Sequence, residues 1–190
     1  NHKYFLNVQH YSVAVQVNEM LKQCMCPQTT DLLEGECRIL TPSPAFNTLF
    51  LAFHASQHYG SGLALHHLCD WAVLIKRYGL KLPEELTDKR FLEAIAALTQ
   101  LANHYLGTQA EITGGEQLAD EMLQAMLHPK FYHKERIPAK GKWGILKYKT
   151  QRFLYMSRVS NRILYVPLWK RIWKSVVAHV RRPETIFQTE

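Results

Sequence analysis

The sequence predicts a mainly α-helical protein, a helical bundle-like domain preceded by a small β element at its N-terminus. From residue 43 onward, apolar residues recur three and four positions apart, and glycines or prolines bound each such stretch. Near the N-terminus, apolar residues instead alternate with other residues, which is typical of a strand. With 190 residues, 47% of them hydrophobic, the chain is long enough to bury a core.

The N-terminal segment predicts a strand over residues 8–17, because Val13, Val15 and Val17 alternate with other residues and β-branched side chains favour strands. The pattern changes to a short helix over 18–25, which Pro27 stops. A polar stretch then leads to a short edge strand over 37–40.

Helices are predicted over most of the remaining chain. Ser43 followed by Pro44 predicts an N-cap and the first position of a helix that extends to about residue 59. A Gly-Ser-Gly turn separates it from the next helix, and Gly79 and Gly107 end later ones. The further predicted helices span 63–78, 88–106, 116–128, 145–164 and 167–180. Residues 128–144 read as a basic loop or linker, so we divide the chain into 1–42, 43–128 and 129–190.

Charge is distributed unevenly along the chain. Residues 130–182 contain 15 Lys and Arg against one acid, whereas residues 1–129 contain 8 basic and 13 acidic residues. Such a segment predicts an anionic partner, which would be a nucleotide or other phosphate-rich ligand, a nucleic acid, an anionic lipid or an acidic protein surface. The alternative is a solvated exterior on helices rich in Lys and Arg.

Cellular location is predicted from the cysteines and from the absence of targeting segments. Cys24, Cys26, Cys37 and Cys69 do not form a spaced disulfide framework, and reduced thiols favour the cytoplasm. No apolar run reaches the roughly 18 residues of a membrane span, and the first residues lack a signal-peptide pattern. The chain opens without Met inside an apparent element, which we interpret as a trimmed product or a fragment.

A histidine-rich stretch, residues 53–71, holds the main candidate functional residues. His54 and His58 lie four positions apart and therefore share a helix face from which both could reach one metal ion. A third ligand could come from the next helix, and the candidates there are His66, His67, Cys69 and Asp70. The other interpretations are a polar network between two helices and a face that contacts a ligand. We favour the polar network and assign no metal site.

Asp70 is the acid of this stretch, and its sequence neighbours are mostly apolar. An acid buried among apolar side chains is costly unless a cation or a hydrogen-bond donor meets it. We therefore predict that Asp70 faces inward and pairs with His54 or His58 across the turn.

The C-terminal segment combines aromatic, apolar and basic residues. Its last helix carries an apolar stripe at helical spacing, which predicts a helix docked on the core, with a membrane-surface helix as the alternative. The preceding helix interleaves aromatic residues with cations, a mixture that also suits single-stranded nucleic acid. The predicted basic patch consists of Lys147, Lys149, Arg152, Arg158 and Arg162.

Three blocks resemble the C-terminal half of a bacterial nucleotidyltransferase-like family. They are VQHYS, LTPSPAFNTLFLAFHASQHYGSGLALHHLCDWAVLI and WKRIWKSVVAHVRRPETI. In that family a helix with spaced histidines precedes a Gly-Leu-Arg-x-x-x-Asp-Trp type segment. Here Gly62-Leu63 and Asp70-Trp71 match its ends, and His66 or His67 replaces the arginine.

The resemblance implies a role on the substrate side of a nucleotidyltransferase, with His54, His58, His66, His67 and Asp70 contacting nucleotide or acceptor. It also implies that residues 1–42 are the remnant of an α/β catalytic core. Family members hold Mg²⁺ with carboxylates on an N-terminal sheet, yet this chain contains no Asp-x-Asp pair. At the position of the third carboxylate stand Gln9 and His10. We therefore expect no catalytic residue and no cofactor here, and Mg²⁺ with a nucleoside triphosphate only where an upstream catalytic half is present.

Overall fold

The computed structural model describes residues 12–25, 28–32, 37–60, 62–131 and 141–181. Within these ranges the chain is mainly helical. Its elements are α1 Ser12–Gln23, β1 Gln28–Leu32, β2 Cys37–Thr41, α2 Pro44–His58, α3 Leu65–Tyr78, α4 Lys89–Leu106, α5 Glu116–Leu127, α6 Gly141–Ser160 and α7 Leu168–Arg181. No helix in these ranges is both long and apolar enough to cross a membrane.

Helix α1 overturns the predicted N-terminal strand wherever the two can be compared, and the predicted residues 8–11 lie outside the described part. Val15 is 59% exposed, whereas the buried residues follow a period of three to four. These are Val13, Ala14, Val17, Asn18, Met20 and Leu21. The alternation of valines was therefore misleading, because the burial of a helical face against α2 outweighs the strand preference of β-branched residues.

A two-stranded antiparallel hairpin follows α1. Its register pairs Gln28 with Thr41 and Leu32 with Cys37. Strand β2 occupies the segment in which a short edge strand was predicted, but its partner β1 was not predicted. The hairpin connects α1 to α2, whose N-cap Ser43 accepts a hydrogen bond from the Phe46 amide at 3.2 Å.

Helices α2 to α5 form the centre of the core, which α1 and the segment after α6 complete. Helix α2 packs on α1, α3 and α4, and α4 packs on α3 and α5. The largest fully buried side chains of these helices include Phe53, Trp71, Phe91 and Met122. A buried hydrogen bond joins two of the helices, since the Trp71 indole donates to the Thr99 hydroxyl at 3.2 Å. The predicted bounds of α2 to α5 are confirmed to within two residues because capping residues or glycines mark most of their ends.

Helices α6 and α7 are attached to this core mainly through the segment between them. Ile163, Leu164 and Val166 of that segment are buried, whereas α7 has no buried residue. Helix α6 begins four residues earlier than predicted, and it includes the Gly-Lys-Trp-Gly sequence that was predicted to belong to a loop. The predicted docking of α7 by its apolar face is wrong, because Trp169 and Trp173 are each 65% exposed.

Candidate functional site

Three histidines converge where α2 ends and α3 begins. His54 and His58 lie on one face of α2, and His67 is in the first turn of α3. The ring centroids are 4.6 Å apart for His54 and His58, 4.6 Å for His58 and His67, and 5.4 Å for His54 and His67. We refer to these three residues as the histidine cluster.

The local fold explains the convergence. Helix α2 ends at His58, and the chain turns back so that α3 packs against α2. Gly62 in this turn has a φ of 136°, a backbone conformation that residues other than glycine rarely adopt. Tyr59 ties the turn to α5 by donating a hydrogen bond to a Glu121 carboxylate oxygen at 3.2 Å. The cluster therefore lies between packed helices.

His67 is oriented by the backbone at the start of α3. Its Nδ1 lies 3.1 Å from the amide nitrogen of Ala64 and 3.2 Å from the carbonyl oxygen of Ala64. The neutral ring accepts from the amide in one tautomer and donates to the carbonyl in the other. In either case Nδ1 is engaged with Ala64, which leaves Nε2 as the nitrogen for a further partner.

Burial keeps His67 in its neutral form. The side chain is 6% exposed, while His54 and His58 are half-buried. Burial, together with the nearby rings of His66 and His58, lowers the pKa of His67 to about 4. A neutral imidazole offers a lone pair, which is the form in which histidine accepts hydrogen bonds and binds metals.

The three histidines form a candidate metal-ligand set. One ring nitrogen from each histidine can be chosen so that the three atoms all lie within 4.8 Å of one another. This set was not assigned from the sequence, although His67 was one of four candidates for a third ligand. Helical spacing relates His54 to His58, but only the path of the turn decides which residue of α3 reaches them.

The inward orientation predicted for Asp70 is wrong, because its side chain is exposed. The buried residues of α3 are His67, Leu68, Trp71, Ala72, Leu74 and Ile75. Asp70 lies just outside the arc that these residues cover, so its apolar sequence neighbours are not its spatial neighbours. It stands three residues after His67, on an adjacent part of the helix surface, and is accessible to a ligand.

The remaining predicted site residues have different outcomes. His66 is exposed, and its ring centroid lies 3.9 Å from that of His67. Cys69 is exposed as a free thiol and does not belong to the candidate metal-ligand set among the described residues. Gln9 and His10, at the predicted carboxylate position, lie outside the described residues.

The residues of the predicted basic patch differ in their exposure and in their partners. Lys147 and Arg158 are exposed on α6, and Lys149 and Arg152 are half-buried there. Arg162 instead forms a bidentate ion pair with Glu93 on α4, at 2.9 and 2.6 Å, so it is a structural residue and not part of an open cationic surface.

The ion pair of Arg162 belongs to a cluster that the sequence did not predict. The Arg162 Nε also lies 3.8 Å from Glu121 Oε2, and Glu121 in turn accepts from Tyr59. Burial, followed by the charge of Glu121, raises the pKa of Tyr59. Tyr59 and Glu121 are 62 residues apart along the chain, and Glu93 and Arg162 are 69 residues apart, so no local pattern relates them.

Comparisons with protein families, with curated proteins and with solved structures find no match to this chain.

Proposed function

We propose that this chain forms the helical, substrate-side part of a nucleotidyltransferase-like protein whose catalytic carboxylates lie outside these residues. The observation that carries the proposal is the convergence of histidines from the family-like block at one edge of the α2–α3 hairpin. His54 and His58 are half-buried in this cluster, whereas His66 and Asp70 are exposed on the same helix as His67, and in this proposal these side chains contact a bound nucleotide or acceptor. The chain alone is not expected to transfer nucleotides.

The reaction class explains why a second half is needed. Phosphoryl-type transfer depends on divalent ions that are held by carboxylates and that neutralise the charge of the triphosphate. The cluster contains imidazoles, which are poor ligands for Mg²⁺, a cation that prefers oxygen. In this proposal the helical part positions substrate while carboxylates elsewhere hold the Mg²⁺ and nucleoside triphosphate.

The test uses the protein completed with the sequence encoded upstream. We expect a Gly-Ser turn and paired aspartates in that sequence. Saturating nucleoside triphosphate with Mg²⁺ should raise the melting temperature, since a ligand that binds only the folded state stabilises it. Asp70→Asn should reduce the shift, and Asp120→Asn, an exposed carboxylate on α5, should leave it unchanged. An unchanged melting temperature of the completed wild-type protein would contradict the proposal.

The exposed surface of α6 and α7 favours a second candidate function, peripheral binding to an anionic membrane. Trp143 is 84% exposed, and a groove of about 690 Å³ between the two helices presents a mainly apolar surface. Residues 141–181 contain no acid. Exposed Trp residues beside Lys and Arg suit the headgroup layer of a membrane that carries negative charge.

Vesicle sedimentation tests this candidate. The protein should bind vesicles of phosphatidylcholine with phosphatidylserine, and binding should fall when phosphatidylserine is omitted or salt is raised. The double variant Trp169→Ala/Trp173→Ala should bind more weakly. A matched pair of exposed apolar residues outside α6 and α7, Val73→Ala/Leu127→Ala, should bind as the wild type does. Binding to single-stranded RNA in place of vesicles would favour a nucleic-acid partner and reject the membrane.

A further inference from the structure

We propose that His54, His58 and His67 bind one divalent transition-metal ion, with Zn²⁺ as the first candidate, and leave a fourth coordination position open. This site does not depend on nucleotide chemistry, so it stands or falls separately from the function proposed above. Its basis is the position of three ring nitrogens, the packing of the helices that carry them and the chemistry of imidazole.

The distances are compatible with a metal after small side-chain rotations. The three nitrogens lie within 4.8 Å of one another. Around a tetrahedral zinc ion with bonds of about 2.1 Å, neighbouring ligand atoms are about 3.4 Å apart. Rotation of the half-buried His54 and His58 about their side-chain torsions can close the difference, because both rings extend from one helix face towards His67.

The backbone supplies the outer contact that such a ligand needs. A metal-binding histidine usually donates its second ring N–H to a carbonyl or carboxylate, which fixes the tautomer and the ring plane. The Ala64 carbonyl oxygen lies 3.2 Å from Nδ1 of His67. A metal at Nε2 would select the tautomer in which Nδ1–H donates to this carbonyl. The ligand from α3 is therefore already oriented in the folded chain.

The ligand set limits which ions fit. Imidazole suits zinc, copper, iron and nickel, whereas magnesium and calcium require oxygen ligands. The candidate metal-ligand set in the described ranges contains only the three histidines. Because neutral ligands leave the whole charge of the ion uncompensated, the fourth position would take water, hydroxide or an anionic oxygen of a carboxylate or phosphate.

A purely structural role for the same histidines predicts a different response to metal. If the rings only satisfied one another between two helices, added zinc would not stabilise the fold. If they bind the ion in the folded state, zinc must raise the melting temperature, because the unfolded chain separates the ligands. Metal-dependent stability therefore distinguishes the two roles.

The experiment titrates the chelator-treated chain, purified without a polyhistidine tag, with ZnCl₂ in a calorimeter and with CoCl₂ in a spectrophotometer. We expect one equivalent of Zn²⁺ to bind with micromolar or tighter affinity and to raise the melting temperature. Co²⁺ should give the intense visible absorption of a four-coordinate site. His54→Ala and His58→Ala should each weaken binding by more than about 100-fold, because losing a ligand costs more than losing an outer contact.

Two other histidines provide matched controls. His66→Ala removes the exposed ring beside His67, and His104→Ala removes an exposed ring on α4. Both variants should retain wild-type affinity and stoichiometry. His67→Gln should abolish the site, and circular dichroism will check its fold because His67 is buried. Absence of stoichiometric zinc binding by the wild type, or equal loss in His66→Ala and His54→Ala, would overturn the proposal.

Discussion

The α2–α5 core and the α6–α7 pair are both helical but differ in how far their apolar side chains are buried. In the core, Phe53, Trp71 and Phe91 are fully buried. In α7, Ile172 and Val176 lie at helical spacing on an apolar stripe, yet they are 46% and 47% exposed. The comparison teaches that an amphipathic pattern predicts a helix and its apolar face but does not predict whether this chain itself covers that face.

The two regions also differ in how charge is used. In the core the acids Glu93 and Glu121 surround Arg162 and hold the connection after α6 in place. Residues 141–181, which include α6 and α7, contain Lys and Arg but no Asp or Glu. Two acids of the core are therefore paired with a cation of the connection after α6, whereas the α6–α7 pair, whose segment has no acid, presents a surface suited to an anionic partner.

The largest expected difference between the two regions is in the free energy of unfolding when one aromatic residue in each is truncated. Phe53→Ala should lower the free energy of unfolding by about 3–5 kcal/mol, because it leaves a cavity in the core. Trp173→Ala should change it by no more than about 0.5 kcal/mol, because the indole is 65% exposed. Urea unfolding followed by circular dichroism measures both. Similar losses in the two variants would mean that α7 is packed in solution.

Much of the fold could be predicted from local signals. Ser43-Pro44 marks the start of α2, Asp88 caps α4, and Gly79 and Gly107 end α3 and α4. Each of these signals acts through backbone hydrogen bonds or dihedral angles within one turn, so the sequence contains it directly. The strand predicted over 8–17 was wrong where it overlaps α1, because valines at alternate positions can equally serve a helix whose other face is buried.

The candidate site could be predicted only in part, because local sequence signals do not determine contacts between different helices. The relation between His54 and His58 follows from helical geometry, whereas their proximity to His67 depends on the turn that precedes α3. The prediction for Asp70 was wrong because it took the apolar residues adjacent in sequence to be the spatial neighbours of the carboxylate. On a helix, residues adjacent in sequence point about 100° apart, so Trp71 is buried while Asp70 is exposed.

A second comparison uses two glycines with positive φ, one in each region. Gly115, before α5, has a φ of 84°, and a Cβ there would lie 2.6 Å from the Ala97 amide nitrogen on α4. Gly141, at the start of α6, has a φ of 75°, and among the described residues no atom outside its chain neighbours and its own helix backbone lies within 4 Å of such a Cβ. Gly115→Ala should therefore lower the free energy of unfolding by about 2–4 kcal/mol, since dihedral strain and a backbone clash add.

Gly141→Ala isolates the dihedral strain, and we expect a loss of about 1 kcal/mol or less. Thermal melts of both variants at equal concentration provide the measurement. If Gly141→Ala were as damaging as Gly115→Ala, the start of α6 would have to be packed as tightly as the contact between α4 and α5, and the contrast between the two regions would fail.

The smallest expected difference between two paired variants concerns the ion pair that joins the regions. Arg162→Met should lower the free energy of unfolding by about 1–2 kcal/mol, because it removes a bidentate pair with Glu93 and leaves Glu93 and Glu121 together without the cation. Its reference is the Lys22–Glu19 pair on α1, a single contact of 2.6 Å between more exposed side chains. Lys22→Met should cost no more than about 0.5 kcal/mol, as is usual for such pairs. A double-mutant cycle that combines Arg162→Met with Glu93→Gln measures the coupling energy between the two side chains. A coupling energy as small as that expected for the Lys22 pair would contradict the prediction. The buried residues Ile163 and Leu164, and not the charges, would then attach α6 and α7 to the core.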